Sequence, residues 1–199
     1  METIRGKTSL DMDLDQLRAR IANHNRIILD LGTGDGKFAF NLADNFPGHF
    51  VIGVDSCREN LREHSRASLP NLLYVIASAQ SLPHELTGLV SQVTINFPWG
   101  SLLDSLLNDD ARLMLGLESI LGSGARLEVR LNGGALSEAG WTLEDGAERV
   151  RENLSRAGWL IRKSETMDST SLRNFPSTWA KRLAFGRDPH AMMLKCARL

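Results

Sequence analysis

The sequence predicts a doubly wound α/β fold, with a seven-stranded, mainly parallel sheet and an N-terminal hairpin extension. Three observations carry this. Short buried-looking apolar runs alternate with amphipathic segments, a glycine-rich turn follows the first run, and an acid closes the second. Runs fit for strands are Arg26–Leu31, Phe50–Asp55, Leu72–Ala77, Gln92–Asn96 and Ala125–Leu131, with two more at Trp159–Lys163 and Met192–Ala197. Strands alternating with helices imply right-handed crossovers and a sheet covered on both faces.

Each intervening segment has helical character. In Gly36–Asn45, with Phe46 just beyond, the positions Phe38, Ala39, Leu42, Ala43 and Phe46 line one face. A helix over Cys57–Ala67 is expected to be capped by Ser56. Asp109–Leu121 opens on two acids and meets Gly122, a fitting stop. Three segments fall outside the alternation. Residues 1–25 hold a hairpin over Thr3–Met12, turning near Gly6, and an amphipathic helix at Asp13–Asn23. Residues 132–158 contain a helix around Glu144–Arg156, and residues 168–189 join the last two strands. Loops at the carboxyl ends of strands carry function in open α/β sheets. Both long connections are therefore expected to bind substrate, within a single domain spanning residues 1–199.

Size and composition narrow the function. The 199 residues suffice for one sizeable core. No stretch approaches the roughly 18 apolar residues of a membrane span, and the N-terminus lacks a signal-peptide core. Cys57 and Cys196 lack metal-ligand spacing and read as buried thiols, suited to a reducing cytoplasm. A net charge of −1 speaks weakly against a nucleic-acid partner, because phosphate binding usually rests on a basic surface. Cations nevertheless cluster at Arg58, Arg62 and Arg66, at Arg149, Arg151 and Arg156, and at Arg173, Lys181, Arg182 and Arg187. Each cluster reads equally well as a solvated face.

The chemistry concentrates at Leu29–Gly36 (LDLGTGDG), a glycine-rich turn between a strand and a helix. Glycines permit a tight turn and close approach of a ligand to the backbone, and helix-start amides favour anionic groups. A dinucleotide fingerprint would place its third glycine where Lys37 stands. The spacing is instead Gly32-x-Gly34-x-Gly36, with Asp30 two residues ahead, where a carboxylate can meet a methionine ammonium group or, alternatively, brace the loop. Asp55 ends the next strand and can accept hydrogen bonds from both ribose hydroxyls. Loop plus acid points to S-adenosylmethionine. Dinucleotide binding and a non-catalytic relic of the fold are the alternatives. Ala77–Gln80 follows the third strand, where such folds meet an adenine ring, so Ala79 and Gln80 join the cofactor set, Gln80 reading equally well as an ordinary loop residue.

The fourth strand ends in Asn96-Phe97-Pro98-Trp99-Gly100-Ser101, and Trp99 beside the reaction centre suggests a stacking platform for a planar substrate. Trp179 lies in Phe175–Arg187, where Ser177 can cap a short helix with Lys181 and Arg182 just beyond. An aromatic interleaved with cations is what a grip on base and phosphate needs, and is equally a pattern of an amphipathic helix.

These segments together resemble the aminoglycoside-resistance methyltransferases of the Kam/Npm type, which methylate N1 of adenine 1408 in 16S ribosomal RNA. The resemblance spans nearly the whole chain, through DLGTGDG, IGVD with the following REN, SAQSLPHEL and, most distinctively, FPWGSLL and STWAKRLAFGR. It implies Asp30, Gly32, Gly34, Asp55, Ala79, Gln80, Ser101 and Ser177 at S-adenosylmethionine, and Trp99 and Trp179 sandwiching a flipped adenine. Arg62, Arg66, Lys181, Arg182 and Arg187 would lie toward the RNA of a 30S subunit met by a cytoplasmic monomer. Gln80 stands where some members carry an acid, and lysines after the second strand are here mainly arginines. Unpaired neutral adenine carries a lone pair and no proton at N1, so methyl transfer needs no general base, and no catalytic Asp or His is sought. The rival activity is tRNA guanine-N7 methylation, whose enzymes carry a basic run after Pro-Trp where this chain has Ser101-Leu-Leu-Asp. The rival class is a non-catalytic RNA- or partner-binding module.

Overall fold

The computed structural model describes residues 1–67, 69–186 and 189–198. The elements run β1 (Glu2–Arg5), β2 (Thr8–Asp11), α1 (Leu14–Ile21), β3 (Arg26–Leu31), α2 (Lys37–Asn45), β4 (His49–Asp55), α3 (Arg58–Leu61), β5 (Leu72–Ile76) and β6 (Val90–Asn96). They continue α4 (Gly100–Leu107), α5 (Ala111–Ile120), β7 (Leu121–Asn132), α6 (Gly133–Glu138), α7 (Leu143–Arg156), β8 (Trp159–Met167), α8 (Ser169–Asn174), α9 (Thr178–Ala184) and β9 (Ala191–Arg198). All strands join one sheet in the order β2-β1-β5-β4-β3-β6-β7-β9-β8.

The expected α/β architecture is present, but the sheet has nine strands rather than seven. The N-terminal hairpin does not stand apart. Thr3 pairs antiparallel with Val75, which adds β1 and β2 to the edge at β5. Strands β5, β4, β3, β6 and β7 are mutually parallel, whereas β9 runs antiparallel between β7 and β8. The order reverses between β3 and β6, so the crevice outside their carboxyl ends is where such a sheet receives a ligand. Val51, Ile52, Val54, Val93, Ile95, Leu127 and Val129 of the central strands are buried. Among the described residues no helix is long and apolar enough to cross a membrane.

Other expectations shift for physical reasons. The helix over Cys57–Ala67 shrinks to α3 and a single 3-10 turn at His64–Arg66. Here His64 bonds through Nδ1 with the Asp35 carbonyl (2.7 Å), and Ser65 Oγ accepts from the Gly6 amide (2.9 Å), so side chains anchor the segment to other elements. Cys57, not Ser56, occupies the N-cap of α3, and the Asp55 carboxylate takes the Cys57 amide. Gly122 is not a left-handed helix stop, because the chain passes from Ile120 straight into β7. Cys196 is buried and its thiol is pushed up to about 12 by desolvation and by Glu128, but Cys57 is exposed. Phe46 leaves the apolar face of α2 and is half exposed, while Trp159 is buried in the core.

The turn into α2 depends on a glycine. Gly36 has φ +78°, and a Cβ there would lie 2.5 Å from Cε1 of Tyr74, whose hydroxyl donates to the Gly36 carbonyl (2.7 Å). Gly36→Ala combines left-handed backbone strain with overpacking against a buried ring, for an expected loss of about 2–4 kcal/mol. Gly140 shares the positive φ but has open space around it, so Gly140→Ala should lose only about 1 kcal/mol. Thermal denaturation of both variants measures the difference, and equal losses would show that Tyr74 yields without cost.

Candidate active site

The β3–α2 turn, the ends of β4, β5 and β6, and the start of α9 enclose a cleft of about 510 Å³. That falls within the size range of small-molecule sites. Its wall includes Gly32, Gly34, Asp55, Ala79, Gln80, Trp99, Ser101 and Trp179. Eight of the residues expected at a site from sequence are thus brought to one cavity.

Asp55 locks the floor. Its Oδ2 accepts from the Gly34 amide and its Oδ1 from the Cys57 amide, both at 2.8 Å. One carboxylate thereby joins the glycine-rich turn to the chain leaving β4, on the wall of the cleft. At Gly34, with φ +59°, a Cβ would stand 3.7 Å from Trp179 Nε1. That is ordinary contact, so it is the positive φ rather than the indole that calls for glycine here.

Asp30 lies beneath the turn, 1% exposed and outside the cleft wall. Thr33 Oγ1 donates to it at 2.5 Å, and Thr94 Oγ1 and Asn96 Nδ2 each donate at 2.8 Å. Asn96 Oδ1 in turn accepts from Arg130 (2.9 Å), which also pairs with Glu128 (2.6 Å). Burial raises the Asp30 carboxyl to about 6, and those three donors and the Arg130 charge hold it from rising further. Sequence reasoning missed Thr33, Thr94 and Arg130. Both strands carry other polar residues, so nothing local marks Thr94 or Arg130; only the register that places Thr94 beside Asp30 and Asn96 beside Arg130 singles them out.

Gln80 staples the β5 loop to α4. Its Nε2 donates to Ser105 Oγ (2.7 Å) and the Ser101 carbonyl (3.2 Å), while its Oε1 accepts from Ser78 (2.5 Å). The side chain is therefore engaged along the wall.

The two tryptophans meet across the cleft, with ring centroids 6.0 Å apart and planes inclined by 36°. Both are more than a third exposed. Trp99 follows Phe97, a non-glycine residue at φ +54°, a sparsely populated conformation that persists only when its surroundings enforce it. The Phe97 amide donates to the Arg130 carbonyl (2.7 Å), and Phe175 packs on its ring. The Phe175 ring stands edge-on to Phe97 (5.6 Å), stacks on Phe38 of α2 (5.1 Å) and lies 4.8 Å under the Arg130 guanidinium. Asn41 of α2 also donates to the Pro176 carbonyl (3.2 Å). One aromatic thus sets both the strand end bearing Trp99 and the loop leading to Trp179.

The remaining expected site residues lie elsewhere. Ser177 occupies the N-cap position of α9 without a side-chain cap bond, is buried, and is not part of the cleft wall. Arg62 pairs with Glu59 on the surface (3.1 Å), and Arg66 is exposed with its stem against Gly6. Lys181 and Arg182 are exposed on α9, with Arg182 5.2 Å from the Trp179 ring centroid. Arg187 lies outside the described residues. No residue of 133–158 lines the cleft, and α7 packs behind α4, where Asn153 donates to the Leu106 (2.8 Å) and Leu107 (3.0 Å) carbonyls.

Comparison with known proteins agrees with this geometry. The family model for NpmA, 16S rRNA (adenine(1408)-N(1))-methyltransferase, matches residues 2–198. A 16S rRNA (adenine(1408)-N(1))-methyltransferase of Escherichia coli is 31% identical, with 94% of each chain covered. A tryptophan-to-alanine mutant of such an enzyme from Catenulisporales acidiphilia, solved with cosubstrate SAM, superposes with TM-score 0.87 at 25% identity, covering 100% of this chain and 97% of that one. The aminoglycoside resistance methyltransferase NpmB1 superposes with TM-score 0.82 at 28% identity, covering 100% and 99%.

The buried carboxylate makes a pH-dependent prediction. The raised Asp30 pKa means that the folded state holds a proton that the unfolded chain, titrating near 3.9, has released. Stability from this group is full below that value and is lost as pH rises through about 6. Asp30→Asn removes the titration. The stability of the variant minus that of the unsubstituted chain should rise by about 2 kcal/mol between about pH 4.5 and about pH 7.5. Chemical denaturation at both pH values measures it, and a flat difference would contradict the shift.

Proposed function

This chain belongs to the 16S rRNA (adenine(1408)-N(1))-methyltransferase family, and from that premise we propose that its cleft seats S-adenosylmethionine beneath a flipped adenine clamped by Trp99 and Trp179. The activity is methyl transfer from S-adenosylmethionine to N1 of adenine 1408, the modification named for its relatives, one of which is an aminoglycoside-resistance enzyme. The observation carrying the clamp is the pair of partly exposed indoles facing each other at 6.0 Å over the cleft.

The walls suit the cofactor. Gly32 and Gly34 leave the turn bare, the Asp55 carboxylate faces the cleft as an acceptor for ribose hydroxyls, and Ala77, Ser78 and Ala79 offer small side chains to an adenine ring. Asp30 serves the methionine end by holding Thr33 and Asn96 in place. When bound, S-adenosylmethionine supplies an electrophilic methyl group on a sulfonium.

The chain contributes presentation. A ring between two others needs roughly 7 Å, two van der Waals contacts. The indoles must therefore part by about 1 Å and rotate toward parallel as the base enters. The α9 segment carrying Trp179 packs through Ala180, Ala184 and the partly buried Leu183, and its two alanines leave room for such a shift. With N1 unprotonated, rate comes from alignment and exclusion of water, and two indole faces stabilise the cationic product ring. We read the assembled 30S subunit in the cytoplasm as the substrate, one chain of residues 1–199 acting as a single unit, because cations are scattered over Arg62, Arg66, Lys181 and Arg182. Such scattering suits a shaped RNA surface.

Incubation with 30S subunits and S-adenosylmethionine should produce a reverse-transcription stop at adenine 1408, and a stop elsewhere or none refutes the reading. Trp99→Ala and Trp179→Ala should each remove most methylation with cofactor affinity and melting temperature nearly intact, whereas Trp159→Ala should lose about 3–5 kcal/mol of stability first. Activity lost only in proportion to melting temperature would assign both tryptophans to packing. Asp55→Ala should weaken S-adenosylmethionine binding by about 1–3 kcal/mol in calorimetry, and an unchanged dissociation constant would remove its ribose role.

A further inference from the structure

Helix α9 is short and amphipathic, and one residue breaks its pattern. Successive residues of a helix advance by about 100°. Ala180, Leu183 and Ala184 fall on one side and pack on Phe97, Met167, Leu172 and Ala191. Trp179, Lys181 and Arg182 fall in the opposite sector of about 160°, and Phe185, the C-cap residue just past the last helical turn, follows on that side. A solvent sector ordinarily carries polar side chains, yet Phe185 stands in it 78% exposed, more than any other large apolar side chain among the described residues. Nothing in the core accounts for it.

Its surroundings describe a partner. Lys181 and Arg182, four and three residues earlier, flank it on the same sector, and neither has a carboxylate partner among the described residues. Arg182 lies between the two aromatics, its guanidinium 5.2 Å from the Trp179 ring centroid. The sequence aromatic, cation, aromatic thus runs from the cleft wall outward, about 9 Å along the helix axis from Trp179 to Phe185. Stacking on an aromatic with phosphates held by adjacent cations is how single-stranded nucleic acid is bound. A protein partner for an exposed phenylalanine would not require the cations, nor the continuity with Trp179.

We propose that Phe185 is a second base-stacking platform, which takes an unpaired nucleobase of the RNA neighbouring the target adenine while Arg182 and Lys181 hold the phosphates between the two bases. The proposal rests on the RNA-methylation reading of the cleft, and adds a binding site outside it.

The test measures binding of the whole chain to 30S subunits alongside the adenine 1408 stop. Phe185→Ala should weaken 30S binding roughly 5- to 150-fold, the usual effect of losing one base stack. Cofactor affinity and melting temperature should stay unchanged. Phe185→Leu should be nearly as weak, because it keeps bulk but loses the π-face, and Phe185→Tyr should bind like the unsubstituted chain. Phe46→Ala is the control, an exposed phenylalanine near the amino end of β4, away from the cleft. Arg182→Ala should also reduce the salt dependence of binding, whereas Phe185→Ala should leave that slope alone. Phe185→Ala binding as tightly as the unsubstituted chain, or Phe185→Leu binding as tightly as Phe185→Tyr, overturns the platform and leaves the methylation reading standing. Binding that depends on Phe185 without a stop at adenine 1408 supports the platform and overturns that reading. Absence of 30S binding by the unsubstituted chain overturns both.

Discussion

The Asp30 carboxylate is the constraint on which the site is built. It accepts from Thr33 in the glycine-rich turn and from Thr94 and Asn96 on the neighbouring strand, and through Asn96 it meets Arg130 on the next. Three adjacent strands and the turn above them are thereby fixed at the point where strand order reverses. A buried carboxylate is costly unless its lone pairs are filled. That cost makes the arrangement specific, because any displacement of the turn leaves a charge without donors. The walls of the cleft inherit their positions from this hidden network.

A second network sets the mouth. Trp99 and Trp179 are 80 residues apart and reach the cleft on unrelated elements. Phe175 packs against the base of both, touching Phe97, Phe38 and Arg130. Arg130 belongs to both networks, since it donates to Asn96 and covers the Phe175 ring. The floor and the mouth of the cleft therefore share one cation. A shift of the turn registers at the tryptophans through two contacts.

The strands at the centre of the sheet were legible because each is buried on both faces and reads as an apolar run. The edges were less so. β8 continues to Met167 through Lys163, Ser164 and Glu165, which pair with β9 while their side chains face solvent, so hydrogen bonding rather than apolarity extends it. The hairpin was visible from its turn at Gly6, but its docking on β5 rests on the single pair Thr3–Val75, a long-range match that no local pattern encodes. The cleft residues were readable as motifs next to strand ends. Thr33, Thr94, Arg130 and Phe175 were not, because their importance comes from which strands become neighbours. The first long connection, residues 132–158, was expected near substrate and instead packs behind α4, since a pattern fixes a helix's apolar face but not the partner that covers it.

The ends of the sheet have a consequence for how the molecule behaves in a crowded solution. At one end the last strand is the four-residue β2, too short to template another chain. At the other, β8 presents Arg162, Lys163 and Glu165 among its outward positions, and charge on an edge strand disfavours pairing with a second sheet. A nine-stranded sheet with an apolar centre would otherwise be a surface for strand addition. Its two borders instead carry the features that blunt strand addition, shortness at one end and charge at the other.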